Sequence, residues 1–339
     1  MNKIKFAVIG AGHIGKRHAD IISQHEDTAL CAVCDTNASL QNSLSPQVPF
    51  YTSYDELLSK HPDVDVVSIC SPNGLHAEHA LLALQHGKHV VIEKPMALTK
   101  SDCEKVIFKA LQVQKQVFCV MQNRYSPPSA WMKELVEKNV LGKIYMVHID
   151  CFWNRDERYY QGHSWKGTAD LDGGTLFTQF SHFIDMMYWL FGDIQNIHAS
   201  LRDFNHATQT AFEDSGIVQF EFLNGALGTF NFSTAVRDKN FESTMTVIAE
   251  NGTVKLGGQY MNEVYYCDIA NYEMPELAPS NPPNDYGHYK GSAANHHFII
   301  QNVVETLRGQ TNITTNALEG MKVVDIIERI YQSSNRIVK

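Results

Sequence analysis

The chain has no surplus of positive charge, no long apolar run and no internal repeat, and each absence removes a class of function. A net charge of −9 leaves no basic footprint for a nucleic acid. No apolar stretch approaches the roughly 20 residues that a membrane-spanning helix requires, so no membrane is expected. The lysine-bearing start mimics a signal peptide, but its apolar stretch is short and runs straight into glycines. Low-complexity segments are missing as well. The seven cysteines, an odd number, are scattered through apparent strands and helices. That pattern fits reduced thiols in a cytoplasm and not a disulfide framework. Cys31 and Cys34 have redox-pair spacing, yet residues three apart in a strand face opposite sides, so both read as packing residues. His76 and His79 have no cysteine or carboxylate set at zinc-site spacing, so no metal is assigned.

What is present is a dinucleotide fingerprint in its full context. Lys3–Ile9 has strand character and leads into Gly10-Ala11-Gly12-His13-Ile14-Gly15, a complete G-x-G-x-x-G, with helical character through about Ser23. Gly10 permits the tight turn, Gly12 removes the Cβ that would block a pyrophosphate, and Gly15 lets helix and strand pack closely. The phosphates then sit on amides at the helix N-terminus. The next strand, Ala29–Cys34, ends at Asp35, 20 residues after the third glycine. A carboxylate there binds the adenosine ribose and repels a 2′-phosphate, so NAD is expected and not NADP.

The 339 residues allow two domains. Strand and helix patterns alternate through the first third. Val64–Cys70 is a strand ending in the turn-rich Ser71-Pro72-Asn73-Gly74-Leu75-His76, and His89–Ile92 is a strand ending in Glu93-Lys94-Pro95. Leu98–Gln114 reads as a helix and Val117–Met121 as a further strand. Such a series predicts a Rossmann doubly wound parallel sheet, with ligands at the strands' C-terminal ends. The texture changes near Asn123, so the division is drawn as an NAD-binding domain 1–122 and a substrate-binding and oligomerisation domain 123–339. In the latter, alternating runs such as Ile144–Phe152 and Gly216–Phe222, with Asn224-Gly225 and Asn251-Gly252 turns, predict an α+β domain built on a large open mixed or antiparallel sheet. One helix, Gly174–Phe191, interrupts it. A last helix from about Ala317 to Ser334 is a candidate to pack back on the first domain. Met274–Gly291 reads as a long loop or lid.

Thr178 and His182 are four apart on the interrupting helix and share a side. His182 is either an acid–base group for a substrate hydroxyl or a core histidine bonded to a carbonyl. Asn123, Arg124 and Tyr125 follow a strand end, and Trp153-Asn154-Arg155 and Trp165-Lys166 flank a polar loop. Arginines there suit a phosphate or carboxylate and aromatic faces suit a sugar or base; the alternative is a solvated charged loop.

These motifs together resemble the glucose–fructose oxidoreductase/inositol dehydrogenase (Gfo/Idh/MocA) family over essentially the whole chain: the glycine loop, Ser71-Pro72-Asn73-x-x-His76, Glu93-Lys94-Pro95, Gly173-Gly174 and His182-x-x-Asp185. The resemblance implies a second domain that covers the nicotinamide and builds homodimers or homotetramers. It places the lysine of the E-K-P element and the helix histidine at the reacting carbon, roles that carry over to Lys94 and His182. Gly10, Gly12, His13, Ile14, Gly15, Asp35, Ser71, Asn73, His76, Glu93, Lys94 and Gln122 then hold the cofactor. Many members have aspartate where this chain has Thr178. Gln122–Pro128, Phe152–Arg155, Tyr159-Tyr160, Trp165–Thr168 and Thr178–His182 are similar to one subgroup that also lost it, the UDP-N-acetylglucosaminuronate 3-dehydrogenases of bacterial surface-polysaccharide synthesis.

That likeness implies a cytoplasmic, NAD-dependent oxidation at C3 of a UDP-linked acetamido uronic acid to a 3-keto sugar nucleotide. Asn123, Arg124, Arg155, Tyr160, Trp165, Lys166, Thr178, Gln179, His182 and Arg237 would touch the substrate, with Arg158 a further candidate cation. Lys166 stands where the subgroup carries arginine, which keeps the charge and loses the bidentate fork. Cofactor recycling with 2-oxoglutarate occurs in some subgroup members. The rival readings are a dehydrogenase of a free polyol or unactivated sugar, NAD-assisted glycosidase chemistry, and a non-catalytic nucleotide sensor on the same fold.

Overall fold

A computed structural model describes residues 2–162 and 164–334. The chain forms two compact units. The first contains Met1–Val120 and His296–Val324, the second Met121–Asn295 and Asp325–Lys339. The division therefore falls inside the last helix, and a late segment of chain returns to the first unit.

The first unit is a six-stranded parallel sheet in the order β3-β2-β1-β4-β5-β6. Its strands are β1 (Ile4–Ile9), β2 (Thr28–Cys34), β3 (Phe50–Tyr51), β4 (Val66–Ile69), β5 (His89–Ile92) and β6 (Val117–Cys119). The reversal of order beside β1 is the switch point at which such sheets bind dinucleotides. The strands are short and apolar because helices bury them on both faces. Val66, Val67, Ile69, Val90, Val91 and Ile92 are all fully buried, each worth about 1.5–3 kcal/mol. The helices are α1 (His13–Gln24), α2 (Tyr54–Lys60), α3 (His76–Gln85) and α4 (Lys100–Gln112). Ser53 caps α2 by accepting from the Glu56 amide at 3.3 Å, as the capping-box spacing predicts. Thr99 caps α4 on the Asp102 amide, so that helix begins two residues later than its apolar pattern indicated.

The second unit carries a seven-stranded sheet in the order β13-β12-β11-β7-β10-β9-β8. These are β7 (Ile144–Phe152), β8 (Ile194–Arg202), β9 (Ser215–Phe222), β10 (Leu227–Ser233), β11 (Glu242–Ala249), β12 (Gly252–Gly257) and β13 (Glu263–Ile269). Only β7 and β10 pair in parallel, so the sheet is mixed. One face is a core of Val147, Ile149, Val218, Phe220, Phe230, Phe232 and Val247. Around it lie α5 (Pro127–Glu137), α6 (Glu157–Tyr160) and α7 (Ser181–Phe191). The Phe180 and Phe232 rings meet at 5.6 Å, and Phe191 and Phe222 at the same distance. The opposite face leaves Met146, Ile217, Leu227 and Ile248 exposed.

The expected lid contains secondary structure: β14 (Pro283–Asp285) pairs with β15 (Lys290–Ala293). Strands this short, one starting at proline, leave no periodicity to read. The helix expected over Gly174–Phe191 is π-helical at Leu176–Phe180 before α7 begins. Two helices complete the chain, α8 (His296–Leu307) and α9 (Ala317–Ser333).

Candidate active site

The three glycines of the fingerprint have separate physical roles. A Cβ on Gly10, which has φ +90°, would lie 2.5 Å from the Cys70 carbonyl oxygen. One on Gly15 would lie 1.7 Å from the Gly10 carbonyl oxygen. Both positions are closed to any side chain by main-chain packing. A Cβ on Gly12 would meet nothing within 4 Å. That open ground, at the N-cap of α1 and with no side chain capping the helix, is the cradle a pyrophosphate needs. His13 beside it is exposed and Ile14 half-buried. Asp35 stands at the end of β2 and accepts from the Ala11 amide at 2.7 Å and the Asn37 amide at 2.9 Å. It therefore fixes the glycine loop.

The loop after β4 is held from inside. His76 is buried and its ring lies 2.7 Å from the Pro95 carbonyl and 2.8 Å from the Ser71 carbonyl. His79 contacts the Ser71 hydroxyl at 2.9 Å. His76 thus positions the loop and the Glu93-Lys94-Pro95 segment, and its ring nitrogens are engaged by main-chain carbonyls. Asn73 is buried in the short turn that precedes α3. The Lys94–Pro95 peptide is cis.

In the second unit, His182 is buried on α7, with its Nε2 3.4 Å from the Gln122 amide nitrogen. The Gln122 amide oxygen has no partner among the described residues. Asn123 accepts from the Ser292 hydroxyl at 2.5 Å and ties the turn at 122–125 to β15. Arg124 is committed: Nε and Nη2 donate to the two carboxylate oxygens of Asp185 at 2.9 and 2.6 Å, both residues being buried. Its expected role as a substrate cation gives way to pinning α7, because a fully desolvated fork is matched by a carboxylate. Thr178 donates to the Asp172 carboxylate. A carboxylate thus reaches the position where Thr178 had removed one, but from the loop before the glycines. Arg158 pairs with its neighbour Asp156 at the surface, and Arg237 is exposed.

Arg155 and Lys166 differ from those arginines. Arg155 is 1% exposed, yet none of the ion pairs found among the described residues includes it or Lys166. Its guanidinium donates to the Gln179 amide oxygen at 2.6 Å, the Asn154 carbonyl at 2.5 Å, and at 3.1 Å to Asn240 and to the Lys290 carbonyl. It also lies 4.8–5.3 Å from the ring centres of Trp153, Tyr289 and Tyr159. Lys166 Nζ sits 3.7 Å over the Tyr159 ring. Burial, then the Arg155 charge, pushes the Lys166 pKa down to about 8. Tyr160 packs edge-on against Tyr159, Gln179 donates to the Tyr159 hydroxyl at 2.8 Å, and Trp165 is half-buried nearby in sequence. Tyr289 comes from the turn of the β14–β15 hairpin, which the sequence reading passed over as loop.

Three further groups escaped the sequence reading: His18, His296 and Glu213. His18 and His296 are polar residues on ordinary helices and Glu213 lies in the segment before β9; only burial marks them out.

Comparison with known proteins agrees with this geometry. Residues 4–121 match an oxidoreductase family with an NAD-binding Rossmann fold, and residues 130–255 match the GFO/IDH/MocA C-terminal domain. The WlbA dehydrogenase from Bordetella pertussis, crystallised with NADH and UDP-GlcNAcA, is 30% identical; the match covers 98% of this chain and 96% of that one, with a TM-score of 0.87. The WlbA dehydrogenase from Chromobacterium violaceum, also solved with NADH and UDP-GlcNAcA, is 28% identical over 98% of this chain and 94% of that one, with a TM-score of 0.88. D-glucoside 3-dehydrogenase from Escherichia coli is 26% identical over 354 residues, covering 98% of this chain and 95% of that one. No helix among the described residues is long and apolar enough to cross a membrane. With an open glycine cradle, a carboxylate at the end of β2 and both family regions matched, the chain belongs to the Gfo/Idh/MocA family and is an NAD-dependent oxidoreductase acting on a sugar hydroxyl.

Proposed function

We propose that the substrate is UDP-N-acetylglucosaminuronic acid and that C3 is the carbon oxidised, giving a 3-keto sugar nucleotide. The observation that carries this reading is a pair of cations, the buried Arg155 and the half-buried Lys166, with no carboxylate partner among the described residues. Desolvating an ion costs several kcal/mol, which neutral acceptors and aromatic faces offset only in part. An anionic substrate supplies the missing charge; a neutral polyol does not. The two WlbA dehydrogenases, each solved with that sugar nucleotide, support the same choice.

In this reading Lys94 takes the proton from the C3 hydroxyl, with His182 as its acid–base partner. NAD held at the glycine loop would supply the hydride acceptor. Gln122 holds His182 in place, and Arg124, through Asp185, holds the helix that carries it. Asp172 and Thr178 fix the start of that helix. The exposed apolar face of the seven-stranded sheet is the surface on which copies of the chain associate.

The test is NADH formation and product mass with UDP-N-acetylglucosaminuronic acid, with and without 2-oxoglutarate, beside inositol, free glucose and a glucoside. Loss of two hydrogens from the UDP sugar alone is the expected result. Turnover only on neutral sugars would overturn the substrate assignment. A dependence on 2-oxoglutarate would identify a cofactor recycled in place.

A further inference from the structure

The first unit buries a cluster that the chemistry above does not use. His18 on α1, Glu93 at the end of β5 and His296 at the start of α8 are 0%, 5% and 1% exposed. His18 Nε2 lies 2.9 Å from Glu93 Oε1, and its Nδ1 lies 2.7 Å from the Ser68 hydroxyl on β4. His296 Nε2 is 3.5 Å from the same Glu93 oxygen. The other carboxylate oxygen, Oε2, accepts from the Lys94 amide at 3.2 Å. On the far side, the Pro95 carbonyl is held by His76. Lys94 therefore sits between two anchored neighbours at the mouth of the sheet.

We propose that His18, Glu93 and His296 form a charge-balanced clamp that positions Lys94 and keeps Glu93 from holding the lysine side chain as an ammonium. It rests on the assignment of Lys94 as the base. A buried carboxylate beside a lysine favours the charged form, whereas a general base must lose its proton near working pH. A protonated His18 removes that difficulty, since carboxylate and imidazolium together carry no net charge. Its two N–H groups have acceptors waiting, Glu93 and the Ser68 hydroxyl. Burial works against a charge on His18, but the Cys70 sulfur and Glu93 outweigh it and lift its pKa to about 10. Burial also pushes Glu93 up, and the hydrogen bond with His18, together with the nearby His296 ring, holds it well below its ordinary value. Burial pushes the His296 pKa down. The charged and titratable groups facing this point are Arg17 and His18 from α1, Cys70 after β4, His76 from α3, Glu93, and His296 from α8.

The experiment reads Lys94 itself and needs no substrate. The NAD-loaded protein is labelled with limiting acetic anhydride across a pH series, and the acetylated fraction of each lysine is measured by mass spectrometry. In His18→Gln the Lys94 midpoint moves up by about one pH unit, while that of the exposed Lys60 stays put. His18→Gln/Glu93→Gln, with no buried charge left, brings it back. Glu93→Gln, which leaves the His18 charge unbalanced, moves it down, and serves if His18→Gln does not fold. A Lys94 midpoint unchanged in these single variants overturns the clamp. Separately, a Lys94→Met protein that turns over normally overturns the assignment of the base, whatever the midpoints do.

Discussion

Replacing Glu213 by glutamine should flatten the fall in stability of this protein between pH 6 and pH 8. Glu213 is fully buried, at the end of the segment that leads into β9. Its Oε1 accepts from the Tyr331 hydroxyl at 2.7 Å, and its Oε2 has no partner among the described residues. Burial is the dominant effect and lifts its pKa from 4.5 to about 8. In the unfolded chain the group ionises at its ordinary value. Between the two values the folded state therefore binds the extra proton, and stability falls as pH rises through that window. The slope is about 1.4 kcal/mol per pH unit, so the step from pH 6 to pH 8 costs about 2–3 kcal/mol. Glutamine fills the same volume and keeps an acceptor for Tyr331 but does not titrate. The assay is urea unfolding of both proteins at the two pH values. Wild type should lose about 2 kcal/mol more than Glu213→Gln on going to pH 8. Parallel losses in the two proteins would refute the assignment of Glu213 as a buried neutral acid.

Three further outcomes are expected. Gly12→Ala should fold with an unchanged melting temperature and bind NADH more weakly by at least about tenfold, because its Cβ enters only the open cradle, whereas Gly15→Ala should lose stability, its Cβ falling 1.7 Å from a carbonyl oxygen; NADH fluorescence titration and a thermal melt separate the two, and equal behaviour would count against the cradle. KM for the UDP sugar should rise above pH 8 as Lys166 loses its proton, a limb that Lys166→Arg moves out of range and Arg155→Met makes irrelevant by raising KM at every pH; a flat KM profile would remove Lys166 from the substrate site. Leu227→Glu, opposite Met146 on the open face of the sheet, should shift the protein to a smaller species in light scattering after gel filtration, and an unchanged mass would mean that copies do not meet there.

The fold was legible wherever one local requirement had one solution. Gly10 and Gly15 could be read because a strand–turn–helix that buries its own backbone tolerates no Cβ there. The alternation of Ile144–Phe152 could be read because one face of a half-covered sheet is apolar. Arg124 shows where such reading stops. Its sequence neighbours give no hint that Asp185, sixty-one residues on, has already claimed the guanidinium. The β14–β15 hairpin escaped for a related reason: it is held by Asn123 and Asn284 contacts and not by its own periodicity.

The sequence by itself determined the parallel sheet and the glycine turn that opens α1, because glycine spacing and strand periodicity are local facts. Only the tertiary structure decided which charges are spent and which are available. Arg124 is neutralised by Asp185, Glu93 is shared between His18 and two neighbours, and Arg155 with Lys166 is left facing aromatic rings. Ionic pairing depends on burial and on partners far away in the chain, and neither is a property of a residue's own neighbourhood in sequence.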